Sequence, residues 1–226
     1  MKRLNAADQL LFGLAYASLL FTLLYYLTGF VQQFHDGFAQ EDGPIEWSTS
    51  IFLFFSSLIL VRHSIAQARN GAWVATLLVA FYALLFFFAA GEEISWGQRV
   101  FGWETTEFFA ENNYQNETNL HNLVVGEQQL AKTLFGSVLT TVLLLYLVVL
   151  PLMYNRFNWV KSFADALAIP VPGLRHAALA FGASVFIGVV DLPRKWEVYE
   201  FIFSLIALSI FIAPSNAKRF DSLVSE

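Results

Sequence analysis

No cysteine occurs anywhere in this chain, so disulfides, thiolate metal sites and cysteine nucleophiles are excluded outright. Charge is scarce as well: Asp, Glu, Lys and Arg make up 14% of the 226 residues, against about 25% in an ordinary soluble domain. The 13 basic residues are scattered rather than clustered, which removes the electrostatic footprint of a nucleic-acid binder. Several established motifs are missing too. There is no phosphate-cradling glycine loop ending in Lys-Ser/Thr, no dinucleotide fingerprint, no His-Glu-x-x-His and no Gly-x-Ser-x-Gly elbow. Nor does the chain contain an internal repeat or a low-complexity run.

What remains is apolar. Hydrophobic residues form 57% of the chain, with 24 Phe, 8 Tyr and 6 Trp, a composition expected of a multi-pass membrane protein whose rings meet lipid and settle in interfacial belts. Six apolar runs follow one another at about 10–31, 47–61, 72–90, 130–153, 177–190 and 198–213. A spanning helix needs ~20 residues to cross ~30 Å of hydrocarbon. The first run continues well past Ala15-Tyr16-Ala17, so it is read as a retained helix rather than a cleaved signal. The last two are short, and a re-entrant pair is their alternative. The expected fold is all-α: a polytopic bundle of about six transmembrane helices in one membrane domain. A polar link through Arg62, His63 and Arg69 separates the second and third runs, and His35, His63 and His176 are expected in solvent near the membrane boundaries. Between the fourth and fifth runs, residues 157–169 put Phe157, Val160, Phe163, Ala164 and Leu167 on one face, as an interfacial helix would.

Cytoplasmic loops are enriched in Lys and Arg. With six spans and both termini inside, Lys2, Arg3, Arg62, Arg69, Arg156, Lys161, Arg175, Lys218 and Arg219 are cytoplasmic, and Arg99, Lys132, Arg194 and Lys195 are not. Both termini are therefore expected in the cytoplasm. Glu46, Glu92, Glu93, Glu117, His121, Asp191, Glu197 and Glu200 then gather at the outer ends of the spans.

The richest chemistry lies in Gly91–Leu123, GEEISWGQRVFGWETTEFFAENNYQNETNLHNL, with five asparagines inside eleven residues. Together with the chain as far as residue 129 it is expected to form an ordered outer cap. Its Trp and Phe residues are poorly suited to a solvated loop, and docking them buries amides and carboxylates that must then be paired. Glu117 and His121, spaced i, i+4, would share a helix face, as two metal ligands or a base and its orienting partner require. Glu92, Glu93, Glu117 and His121 are thus candidate catalytic groups. Arg99, Gln98, Trp96, Asn119 and Asn122 are candidates for holding substrate, with Arg99 suited to an anionic group such as a lipid phosphate. Carboxylates with one imidazole also suit a divalent cation, for which Glu93, Glu117, His121 and Glu200 form the candidate ligand set.

The pairing of GEEISWGQR (Gly91–Arg99) with NYQNETNLHN (Asn113–Asn122) resembles a signature of bacterial multi-pass inner-membrane proteins. That likeness covers about a seventh of the chain and implies placement in a bacterial inner membrane, without an activity. A fainter similarity is to the CAAX-processing and bacteriocin-processing membrane proteases, whose Glu-Glu-x-x-x-Arg motif and downstream histidines imply a glutamate-dependent hydrolytic site. Glu92 and Glu93 match the acidic pair; Arg99 falls two positions late, and His121 is the later histidine available.

Two readings follow. In one the chain is a membrane-embedded hydrolase or transferase, metal- or carboxylate-dependent, acting from an outward-facing site on a lipid or membrane-associated substrate. In the other the same cluster binds or transports an ion or lipid headgroup and does no chemistry.

Overall fold

The computed structural model describes residues 5–120, 122–125, 128–129 and 138–220, and over these the chain is helical apart from a two-residue ladder. Three of the described helices are long and apolar enough to cross a membrane: α1 (Ala6–Thr28), α2 (Pro44–Arg69) and α3 (Trp73–Glu93). Asn5 caps α1 by accepting the Asp8 amide at 2.7 Å, and Gly29 ends it at φ 70°, where a Cβ would be strained. Pro44 opens α2 in its first turn, where its missing N–H costs nothing.

The second helix is longer than expected. Arg62, His63 and Arg69 belong to α2 rather than to a polar link, and the chain turns only at Asn70-Gly71, where Gly71 takes φ 72°. The reason is local: no Gly or Pro interrupts residues 45–69, so nothing stops the helix when the apolar run ends.

α2 and α3 form an antiparallel hairpin zipped by serines. The hydroxyls of Ser50, Ser57 and Ser64 donate across to the carbonyls of Ala90, Ala83 and Thr76 at 2.7, 2.8 and 2.9 Å. Seven residues are nearly two turns, so the three hydroxyls share one face, and their small size lets the backbones approach.

Beyond the hairpin come α4 (Glu107–Asn112), the ladder of β1 (Val124–Val125) with β2 (Gln128–Gln129), α5 (Leu139–Tyr154), α6 (Asn158–Ala166), α7 (Leu174–Val189) and α8 (Lys195–Ile212). α5 widens into a π turn at Leu145–Val149, just ahead of Pro151, which cannot donate to the helical ladder. The expected fourth run began at 130; its first part lies outside the described residues. In α6, Val160 and Ala164 are buried while Trp159 and Phe163 are exposed.

α8 is the axis of the bundle. From Phe201 to Phe211 every residue but Phe203 is buried, and α1, α2 and α7 pack around it. Two histidines expected in solvent are recruited instead. His63 Nε2 donates to the Phe211 carbonyl at 2.8 Å, and His176, fully buried, accepts the Gly173 amide at Nδ1 and meets Ser209 Oγ through Nε2, both at 2.9 Å. Ser209 in turn donates to Asp8, whose other oxygen pairs with Arg175 at 3.0 Å. The network ties α1, α7 and α8 together at one end of the bundle.

Candidate functional site

At the opposite end, the first turn of α2, the last turn of α3 and the first turns of α8 meet, bringing Glu46, Glu93, Glu197 and Glu200 around a cavity of about 140 Å³. The chain after α3 closes over it. Ser95, Trp96 and Gly97 take φ of 47°, 56° and 75° in succession, a run of left-handed residues that reverses the backbone within three positions. Such conformations persist only where surrounding contacts enforce them. Here Trp96 stacks over Gly91, whose hydrogen leaves the room that a Cβ, 2.7 Å from the ring, would take. The ring also meets Phe87 and Phe88 edge-on, and its Nε1 donates to Glu92 at 2.8 Å.

Glu92 thereby becomes a clamp: its second oxygen accepts the Leu120 amide at 2.5 Å, pinning the far end of the returning loop. Glu117 sits beneath, buried, accepting Ser95 Oγ at 2.6 Å and Asn119 Nδ2 at 2.8 Å, with the Arg99 guanidinium against its other oxygen. The asparagines satisfy the backbone, as their mixed donor and acceptor character allows. Asn113 Oδ1 accepts the Gln115 and Glu117 amides, and Asn119 Oδ1 accepts that of Asn122. Gln98 braces the loop in the same way, donating to Thr105 at 2.5 Å and accepting the Thr118 amide at 2.7 Å.

Of the residues singled out in the sequence, Glu92, Glu93, Glu117, Glu200, Asn119 and Asn122 line the cavity, as do Glu46 and Glu197. Gln98 and Trp96 support it from outside the lining. Asp191 is exposed and takes no part. His121 lies outside the described residues. Arg99 does not pair with Glu92 or Glu93; it bridges Glu41 at 2.9 Å, Asp42 and Glu117, so its donors are taken by the protein's own carboxylates. Burial alone would push this guanidinium toward losing its proton, but the Asp42 hydrogen bond and the Asp42 and Glu41 charges outweigh it and hold the group above its usual range. Arg99 is a fixed positive charge.

Three contributors were not singled out: Glu41, Arg194 and Ser95. Arg194 reaches Glu41 at 3.2 Å and Glu197 at 3.3 Å. A rim of alternating charge therefore runs Glu117, Arg99, Glu41, Arg194, Glu197, joining the cap, the loop before α2 and the start of α8. The Glu-Asp-Gly-Pro sequence ahead of α2 was the available signal for Glu41, since it sets acid beside the helix mouth that holds Glu46.

Inside the rim acidic groups outnumber basic ones. Among the described residues seven glutamates line the cavity against one arginine, Arg194. The carboxylates of Glu93 and Glu200 have no hydrogen-bond or ion-pair partner among the described residues. Among those residues no group of three or more acidic or histidine side chains is arranged to hold a metal ion, and Glu117 is held by Arg99, Ser95 and Asn119. No protein-family model matches the chain, and no curated protein or solved structure is similar to it.

Proposed function

We propose that this chain is a multi-pass protein of the bacterial inner membrane that receives a protonated amine, such as that of a lipid headgroup, in the capped carboxylate cavity on its outer face. The observation that carries this reading is the excess of acid: carboxylates from three helices and the cap converge on one small space, with a single lining guanidinium among the described residues. Ionisable groups kept at membrane depth normally face a wet cavity and mark a ligand or ion path. An acidic enclosure repels anions and gains from a cation. At about 140 Å³ it is too small for a whole lipid and has room for an ammonium group.

The topology belongs to the same proposal. Six crossings, made by α1, α2, α3, α5, α7 and α8, bring the N-terminal ends of α2 and α8 and the C-terminal end of α3 to the outer face. The nine-to-four distribution of Lys and Arg supports termini in the cytoplasm, and the likeness of the GEE and NETNLHN stretches supports a bacterial inner membrane.

A second reading rests on the unpartnered carboxylates of Glu93 and Glu200. Such groups would serve as general base and acid in hydrolysis or transfer at an amine-bearing headgroup bound beside them.

Calorimetric titration of the purified protein in nanodiscs with ethanolamine tests the first reading. Saturable binding is expected in the wild type, with loss of about a hundredfold or more in affinity for Glu93→Gln with Glu200→Gln, since charge-assisted contacts of this kind contribute about 1.5–3 kcal/mol each. Binding that is absent, or unmoved by the double substitution, overturns the proposal. Release of a headgroup from ethanolamine lipid, abolished by Glu93→Gln, would establish the enzymatic reading in its place.

A further inference from the structure

A groove of about 540 Å³ lies along the far end of α2, away from the carboxylate cavity. Leu58, Arg62, Ile65 and Arg69 fall at i, i+4, i+7 and i+11, so they share one helix face. That face is open: Leu58 is 46% and Ile65 49% exposed. Val61 and Ile212 extend its apolar wall. The floor is fixed by His63, bonded to the Phe211 carbonyl and packed on the Phe220 ring at 5.0 Å.

Among the described residues the charged groups lining this groove are basic, and no Asp or Glu is one of them. Arg99, Arg175 and Arg194 are each ion-paired with carboxylates, whereas Arg62 and Arg69 have no such partner among the described residues. Their depth is also informative. A helix of 26 residues is ~39 Å long, longer than the ~30 Å hydrocarbon core. Measured from Pro44, Arg62 falls ~27 Å along the axis and Arg69 ~10 Å beyond it. With the helix upright, Arg62 stands at the hydrocarbon boundary, Ile65 just beyond it and Arg69 in the headgroup layer, while Leu58 and Val61 remain at acyl depth.

We propose that this groove is a binding site for an anionic phospholipid of the surrounding membrane. The phosphate sits between the Arg62 and Arg69 guanidiniums, whose forked donors match phosphate oxygens, with Ile65 beside it, and one acyl chain lies along Leu58, Val61 and Ile212. The site is independent of the amine cavity and would stand if that reading failed.

The test reads lipid retained by the purified protein after transfer from nanodiscs of phosphatidylcholine doped with phosphatidylglycerol. Wild type is expected to retain phosphatidylglycerol well above its share in the bilayer. Each basic group near an anionic surface is worth roughly a fivefold preference, so Arg62→Ala with Arg69→Ala should lower enrichment by roughly 25-fold. The doubly Lys-substituted protein, which keeps the charge and loses the fork, should fall between. Ile65→Glu should lose enrichment as well, because it places like charge beside the phosphate. Both arginines are exposed, so the double alanine variant should melt with the wild type. If it does not, the lysine pair and Ile65→Glu decide. Enrichment unchanged in the variants overturns the site. Complete displacement by millimolar inorganic phosphate would show a soluble-anion site and overturn the lipid proposal.

Discussion

At its C-terminal end α8 carries Ser209 into a network where each side-chain polar atom of Asp8, Ser209 and His176 has a partner. At its N-terminal end it carries Glu197 and Glu200 into a space where carboxylates outnumber cations. The two clusters lie on one helix, and the second surrounds a cavity. In the first, the Gly173 amide donates to His176 Nδ1, so the proton is on Nε2 and points at Ser209, which passes its own to Asp8. An imidazole set this way cannot take the serine proton, so the Ser-His-Asp combination is a structural clasp and not a nucleophile with its base. The comparison separates two uses of buried polarity: complete pairing fixes helices, and surplus charge around open volume leaves work for a ligand.

Breaking the clasp should give the largest effect. Asp8→Ala removes the acceptor for both Ser209 and Arg175 and leaves buried donors without partners. Loss of one member of a buried pair costs about 3–5 kcal/mol, and the partial exposure of Arg175 argues for the lower end. Thermal unfolding in detergent should show it as a large drop in Tm. Glu200→Gln, on the same helix, should leave Tm at or above the wild-type value because it relieves like-charge crowding. Equal losses at the two ends would erase the distinction.

The apolar runs, the docking of the 91–123 stretch and the gathering of acid at one end were all legible, because composition and periodicity act locally and the span ends follow from them. The length of α2 was less so. An apolar run stops at Val61, but a helix stops only where a breaker stops it, and that is Gly71. The seven-residue spacing of Ser50, Ser57 and Ser64 was a readable sign of close helix packing. The rest depends on contacts between segments distant in the chain. Nothing near His176 in sequence announces Asp8, 168 positions away, and nothing near Arg99 announces Glu41 and Asp42, 58 and 57 positions away. Arg99 looked free to bind an anion because the acids that hold it, Glu41, Asp42 and Glu117, all lie far from it in sequence.

The second prediction sharpens the cavity side of the comparison. Gly91→Ala sets a methyl 2.7 Å from the Trp96 ring, which must move and give up its hydrogen bond to Glu92. Overpacking of this kind costs about 1–3 kcal/mol. The cost should be local: earlier protease cleavage within 98–120 and weaker amine binding, with the unfolding of the remaining bundle little changed. Resistance to protease equal to the wild type's would mean that the Trp96 contact does not hold the cap down.

The smallest effect is expected where acid is present without a cavity. Glu104 and Glu111 belong to the same polar stretch as Glu92, Glu93 and Glu117 and carry the same functional group, but both are exposed and neither lines the enclosed space. Surface substitutions away from special contacts usually stay within about 0.5 kcal/mol. Glu104→Gln and Glu111→Gln should therefore match the wild type in stability and in ethanolamine affinity, while Glu93→Gln with Glu200→Gln loses binding. The two pairs differ in enclosure and not in charge removed, so they isolate the variable on which the site depends. A loss of affinity at Glu104 or Glu111 as large as that at Glu93 and Glu200 would mean that the amine responds to the summed negative field of the outer face, and that the cavity plays no part.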